Sequence, residues 1–277
     1  MSTLLEAMNS RTIYFDGAMG TELQKMGLSE DPALLNLTHP GEIINIHRQY
    51  LDAGADIITA NTFGAYSHKY SNASDMIKAA IAHGKKALES NPDKWLALDL
   101  GPTGLMLEPY GDITEDECSK IYEEAIQTGA QLGADVILIE TMMDLTELKI
   151  AVTAAKKANL PVFATMSFEK NGRTMMGVPI EDMVAMLESL GVDALGMNCG
   201  FGPDIYADLA AKLYGLTTLP IIIQPNAGLP ITDDALTTVR YNLTVDEFAA
   251  TMALMNVKIK GGCCGTSPAH IAALVKQ

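Results

Sequence analysis

Short apolar runs alternate with amphipathic segments along the whole chain. Eight of the runs read as strands: Thr12–Phe15, Asp56–Ala60, Trp95–Leu100, Val136–Glu140, Val162–Ser167, Ala194–Asn198, Pro220–Gln224 and Val257–Lys260. Most are continuously apolar rather than alternating, Ile221-Ile222-Ile223 most plainly, as expected of parallel strands buried on both faces. The segments between them have helical spacing. Ile43, Ile44, His47 and Leu51 share one helix face, and so do Met183, Val184, Met186, Leu187 and Leu190. One handover recurs: Ala53-Gly54-Ala55-Asp56, Leu132-Gly133-Ala134-Asp135 and Leu190-Gly191-Val192-Asp193. In each, glycine supplies a left-handed helix stop before the next strand. The repetition argues for βα units, and eight of them suit a (β/α)₈ barrel; a doubly wound sheet is the alternative. The longest irregular stretches, Gly101–Ile113 and Pro225–Asn242, follow the third and seventh strands. Strand C-termini are the functional face in either architecture.

Composition narrows the function. The chain has 277 residues, 48% of them hydrophobic, enough for one barrel of about 250 residues as a single domain spanning 1–277. A net charge of −15 argues against a nucleic-acid partner, whose phosphates call for Lys and Arg, and against an anionic membrane surface. No apolar run approaches the roughly 20 residues that span a bilayer. Met1–Arg11 lacks the basic start and apolar run of a secretory signal, so a cytoplasmic location is expected.

Four cysteines are present, and three fall at predicted strand ends. Cys199 sits in Gly196-Met197-Asn198-Cys199-Gly200 after the sixth strand. Cys263 and Cys264 sit in Gly261-Gly262-Cys263-Cys264-Gly265-Thr266 after the eighth. In a barrel these ends share one rim with only the seventh strand between them. Three thiolates suit Zn²⁺, and three protein ligands leave the open fourth position of a catalytic site. A lone cysteine is commonly just a small buried hydrophobe. An adjacent pair between glycines with a third cysteine at a second strand end is not well described that way. A vicinal disulfide is strained and ill suited to a reducing compartment. Cys118 is given no role.

Other strand-end residues suggest a substrate with an ammonium and a carboxylate. After the first strand, Asp16-Gly17-Ala18-Met19-Gly20-Thr21 combines a carboxylate for an ammonium with exposed backbone N–H groups for a carboxylate; turn geometry is the plainer reading. Glu140 ends an apolar strand, where a charge is costly unless paired or at the rim. Asn61 is a candidate for positioning substrate or for satisfying backbone. Asn226, between the cysteine-bearing strands, is placed to face the metal and fill its fourth position when substrate is absent; a turn-forming role is the alternative. The five histidines show no metal-ligand spacing and read as surface or packing residues.

Together, Asp16-Gly17-Ala18-Met19-Gly20-Thr21, Ala60-Asn61-Thr62-Phe63, Gly101-Pro102-Thr103-Gly104, Glu140-Thr141, Asn198-Cys199-Gly200, Pro225-Asn226-Ala227-Gly228 and Gly261-Gly262-Cys263-Cys264-Gly265-Thr266 resemble the zinc-dependent homocysteine S-methyltransferase family, in order and across nearly the whole chain. The resemblance implies a TIM barrel with zinc on Cys199, Cys263 and Cys264. It implies homocysteine bound to zinc by sulfur, with its amino-acid end near Asp16, Gly17, Ala18 and Glu140. Pro225–Pro230 and Gly101–Gly104 look most like the homocysteine-binding domain of cobalamin-dependent methionine synthase. The chain has no Asp-x-His-x-x-Gly cobalamin-ligand motif, so methylcobalamin is expected on a separate corrinoid-binding protein. The expected activity is methyl transfer to homocysteine, giving methionine. The rival readings are an S-methylmethionine- or S-adenosylmethionine-dependent enzyme, a non-catalytic homocysteine-presenting subunit, and a purely structural zinc site.

Overall fold

The computed structural model describes residues 3–232 and 239–277. Its strands are β1 (Ile13–Tyr14), β2 (Ile57–Thr59), β3 (Trp95–Leu100), β4 (Val136–Met142), β5 (Val162–Met166), β6 (Ala194–Asn198), β7 (Ile221–Gln224), β8 (Pro230–Thr232), β9 (Val239–Tyr241) and β10 (Ile259–Lys260). All but β8 and β9 form one parallel sheet in the order β1-β10-β7-β6-β5-β4-β3-β2. Every one of the eight apolar runs lies on one of these strands. The sheet also closes on itself. Phe15 bridges Ile57 in parallel, the Asp56 N–H donates to Tyr14 O at 2.7 Å and the Asp16 N–H donates to Ile57 O at 3.0 Å. That pairing of β1 with β2 makes a (β/α)₈ barrel and rules out the doubly wound alternative, whose first strand lies inside an open sheet.

Two apolar layers hold the barrel. Ile57, Ala97, Val136, Leu138, Phe163, Ala194, Ile222 and Ile259 fill its interior, where Phe15 and Phe163 meet edge to face with centroids 6.3 Å apart. Helix α1 (Leu4–Ser10) adds Leu4, Ala7 and Met8 to this layer and plugs the end at the strand N-termini, an element the apolar pattern did not announce. The outer faces pack against α2 (Met19–Lys25), α3 (Pro32–Thr38), α4 (Pro40–Asp52), α5 (Ala73–Leu88), α6 (Glu115–Gln131), α7 (Leu145–Ala155), α8 (Ile180–Leu190), α9 (Pro203–Tyr214), α10 (Val245–Ala253) and α11 (Pro268–Val275).

The recurring helix-to-strand handover has a second function besides stopping the helix. Gly54, Gly133 and Gly191 take positive φ of 102°, 89° and 68°, as their position demands. The aspartate two residues later then accepts a hydrogen bond from the first N–H groups of the neighbouring strand. Asp56 Oδ2 takes the Tyr14 N–H at 3.0 Å, Asp135 Oδ2 the Leu96 N–H at 2.8 Å and Asp193 Oδ2 the Val162 N–H at 2.8 Å. Each clip satisfies a strand-end donor that a parallel sheet would otherwise leave open at the barrel floor.

The stretch Pro225–Asn242, expected to be irregular, contains a two-stranded antiparallel ribbon, β8 paired with β9. Pro230 opens β8, where a missing N–H costs no ladder bond. These strands are too short for a periodic signal; residues 233–238 of that stretch lie outside the described residues.

Candidate active site

The cysteine-bearing strand ends meet as the spacing requires. The Sγ atoms of Cys199, Cys263 and Cys264 all lie within 4.8 Å of one another, and those of Cys199 and Cys264 are 4.0 Å apart. Four ligands around zinc with Zn–S of about 2.3 Å stand about 3.8 Å apart, so this donor set fits a tetrahedral soft cation with one position to spare. The backbone enforces the convergence. Cys199 follows β6 in the left-handed region at φ 60°, an uncommon conformation for a side chain larger than hydrogen. Its N–H donates to Gln224 O at 3.0 Å, and Tyr206 Oη donates to its carbonyl at 2.5 Å. The Cys263 N–H donates to Pro225 O at 2.8 Å and the Ala227 N–H to Cys264 O at 3.0 Å, so the β7 loop carries both turns.

Asn198 is a second partner of this cluster. Its Nδ2 lies 3.9 Å from Cys263 Sγ and donates to Thr141 Oγ1 at 2.7 Å, while its Oδ1 accepts from the Thr141 N–H and from Thr165 Oγ1, each at 2.7 Å. Thr141 sits at φ 61° where the β4–β5 register shifts between Ile139 and Met142. A bulge there re-aims the neighbouring side chain, here Glu140, into the barrel mouth.

Without a cation the three thiols compete for charge. Sulfur-to-sulfur hydrogen bonds, with a contribution from the Tyr241 hydroxyl, pull Cys264 down toward thiolate. The same hydrogen bonding and burial push Cys263 up; Cys199 is lowered by its bond with Cys263 but ends raised by its bond with Cys264, by burial and by the Cys264 charge. A divalent cation at this point would let all three ionise.

The sulfurs open into a cavity of about 530 Å³, within the range of small-molecule sites. Asp16, Gly17, Ala18 and Glu140, the residues assigned to substrate, line it together with all three cysteines. Asp16 is buried, and both its oxygens accept from Thr59, Oδ2 from the N–H and Oδ1 from Oγ1, each at 2.7 Å. Burial, partly offset by those bonds, pushes its carboxyl up to about 7. Glu140 is pushed up to about 8 by burial and by the nearby Cys199 and Asp16. Gly17 is obligatory here, because a Cβ would stand 2.5 Å from Thr266 Oγ1 and 2.9 Å from Tyr50 Oη. Those two hydroxyls join the strand-one loop to the cysteine loop: Thr266 Oγ1 accepts from the Ala18 N–H at 3.2 Å and Tyr50 Oη donates to Ala18 O at 3.0 Å. The Ala18 N–H is therefore engaged within the protein.

Asn226 is buried with an Oδ1 that has no partner among the described residues, and Gln224 at the end of β7 lines the cavity. Asn61 lines the cavity, yet its amide is committed to Pro32 O at 2.6 Å and Asn36 Oδ1 at 3.2 Å, so it braces α3. The sequence reading missed Asp99, Asn198 and Tyr241. Asp99 had a signal, a lone charge in the apolar run Trp95–Leu100, of the kind that singled out Glu140. Tyr241 had none; its ring lies against Gly265, where a Cβ would stand 2.2 Å from it, a contact only the fold creates.

The model of the family described as homocysteine S-methyltransferase matches residues 13–277. Methionine synthase of Mycobacterium tuberculosis is 34% identical over 296 residues, covering 97% of this chain and 25% of that protein. Methionine synthase of Mycobacterium leprae is 32% identical, covering 97% of this chain and 24% of its own length. The chain thus spans about a quarter of the length of the curated relatives it matches. Among solved structures, the oxidised form of the homocysteine methyltransferase MmuM from Escherichia coli has a TM-score of 0.82 at 22% identity, over 100% of this chain and 99% of that one. The metallated form gives 0.80 at 22% identity, over 98% of each chain. At that identity these likenesses speak for the fold.

Proposed function

The chain belongs to the homocysteine S-methyltransferase family, and from that premise we propose that it transfers a methyl group to the thiol of homocysteine, forming methionine, with methylcobalamin on a separate corrinoid-binding protein as donor. The reading takes residues 1–277 as one homocysteine-binding methyltransferase barrel. The observation that carries it is the convergence of three cysteine sulfurs within 4.8 Å on the wall of a cavity that also presents buried carboxylates. Methionine-forming specificity draws support from the relatives named methionine synthase. The donor assignment draws support from the Pro225–Pro230 and Gly101–Gly104 stretches.

Cys199, Cys263 and Cys264 are the residues that would hold Zn²⁺. When bound, zinc supplies acidification of the substrate thiol, so that a thiolate is available at neutral pH. The protein does the rest by placement. Asn198 donates toward Cys263 Sγ and fixes the bulge that carries Glu140. Asp16, held by Thr59, and Glu140 take the substrate ammonium and orient its sulfur toward the cysteines. The barrel wall excludes water on one side while the mouth stays open to the donor. Positioning of this kind accounts for much of the acceleration of a bimolecular transfer.

The test is a donor panel. Zinc-loaded protein and homocysteine are offered methyl-corrinoid protein, free methylcobalamin, S-methylmethionine and S-adenosylmethionine, and methionine is measured by mass spectrometry. Turnover with the corrinoid donors is expected. Turnover with a sulfonium donor alone would replace the corrinoid reading with the sulfonium one. Inactivity with every donor in the panel, the methyl-corrinoid protein included, would leave the chain at most a presenting subunit.

A further inference from the structure

We propose that Asp99 is a third carboxylate ligand of the substrate's ammonium group, and that it makes the cavity selective for thiols bearing a free primary amine. The inference rests on homocysteine being the acceptor. Asp99 is the penultimate residue of β3 and shares the inward face of that strand with Ala97, one layer above the apolar interior. It lines the cavity beside Asp16 and Glu140 and is only 6% exposed. Its Oδ1 is buried with no hydrogen-bond partner among the described residues. A buried carboxylate oxygen left so is costly unless something bound satisfies it.

The neighbours indicate what that is. The backbone of Asp99 is already matched, since its N–H donates to Thr62 Oγ1 at 3.1 Å and its carbonyl accepts from that hydroxyl at 2.7 Å. Strand pairing therefore does not need the side chain. Each oxygen of Asp16 already accepts a hydrogen bond from Thr59, whereas no such bond occupies Glu140 among the described residues. An alkylammonium has three N–H donors in a tripod, and Asp16, Asp99 and Glu140 face one cavity from the loop after β1, from β3 and from β4. A lone metal ion is a poorer match, because only the cysteine sulfurs cluster at ligand spacing among the described residues.

The test compares homocysteine with 4-mercaptobutanoate, which keeps the thiol and carboxylate but lacks the amine. Equilibrium dissociation constants are measured by calorimetry on the zinc-loaded full chain, with zinc content and melting temperature as controls. Asp99→Asn is expected to weaken homocysteine by about 10- to 100-fold. Binding of 4-mercaptobutanoate should hold, since it has no ammonium to lose a partner. Asp99→Ser should lose the same discrimination and carries the test if the asparagine variant does not fold. Equal weakening of both thiols would show a structural role and overturn the inference, as would unchanged homocysteine binding. If homocysteine does not bind the unaltered chain, the acceptor assignment itself has failed, and the two failures are thereby told apart.

Discussion

At the scale of single residues, the site depends on side chains that hold other side chains still. Cys199 takes a left-handed backbone, and two hydrogen bonds around it, from Tyr206 Oη and to Gln224 O, keep it there. Loss of a sulfur removes a proposed ligand outright. Cys264→Ala should reduce zinc affinity by more than the roughly 10- to 100-fold typical of losing a supporting residue, as read by chelator competition. Asn198→Ala should fall within that 10- to 100-fold range, because it removes the donor toward Cys263 Sγ and releases Thr141, while all three sulfurs remain. An Asn198→Ala protein with unaltered zinc affinity and turnover would show that the bulge holds itself.

At the scale of elements, two contacts determine how the pieces dock. The three aspartate clips join strand starts to their neighbours, and Asp56 is the most heavily used: besides the Tyr14 N–H it takes Arg11 at 2.6 Å and Lys94 at 2.7 Å. Those ion pairs, together with the Tyr14 N–H, lower its carboxyl below the usual range against the opposing effect of burial. Asp56→Ala should cost about 2–3 kcal/mol, less than a fully buried pair because Arg11 is half exposed, whereas Asp135→Ala should cost about 1 kcal/mol. Denaturant unfolding of the two variants measures the difference. The second contact lies between α4 and α5. His47 is fully buried on α4, and burial, with His83 nearby, lowers it to about 3. Its folded value is below the unfolded one of about 6.5, so the unfolded chain binds the extra proton between those values. The stability this group allows is complete above about pH 6.5 and is lost as pH falls toward 3, by up to about 1.4 kcal/mol per pH unit. His47→Leu should therefore show a smaller drop in unfolding midpoint between pH 7 and pH 5 than the unaltered protein. Asp16 and Glu140, whose values are raised, act in the opposite sense in both proteins and cancel in the comparison.

At the scale of the whole molecule, the two ends of the barrel differ. The floor is sealed by α1 and charge-clipped strands, and the mouth holds the cavity and an apolar fringe. Tyr110 is 87% exposed, Met175 76%, Met106 56% and Met176 55%, all in loops that follow strand C-termini. Exposed methionines are adaptable contacts for another protein. If the donor arrives on a corrinoid protein, the double change Met175→Glu and Met176→Glu should lower turnover with that protein at least about fivefold. Turnover with free methylcobalamin should be unaffected. Steady-state rates with the two donors decide it, and an equal loss with both would place these methionines in the folding of the loop instead.

Local periodicity and turn chemistry were enough to locate all eight barrel strands, the three glycine stops and the three cysteines at shared strand ends. These features are written in neighbouring residues: an apolar run long enough to be buried on both faces, a glycine where only positive φ continues, sulfurs set between glycines. Closure was not written there, because a βα repeat serves an open sheet equally well until β1 bonds to β2. The inward aim of Asp99 was hidden for a related reason. A strand buried on both sides shows no polar–apolar alternation, so its sequence does not say which face a lone charge takes. The bracing of Cys199 by Tyr206, the cover of Gly265 by Tyr241 and the bonding of Asp16 to Thr59 join residues 7, 24 and 43 positions apart, and the last two pairs bridge different βα units. Such contacts exist only once the barrel has brought its strand ends together around one cavity.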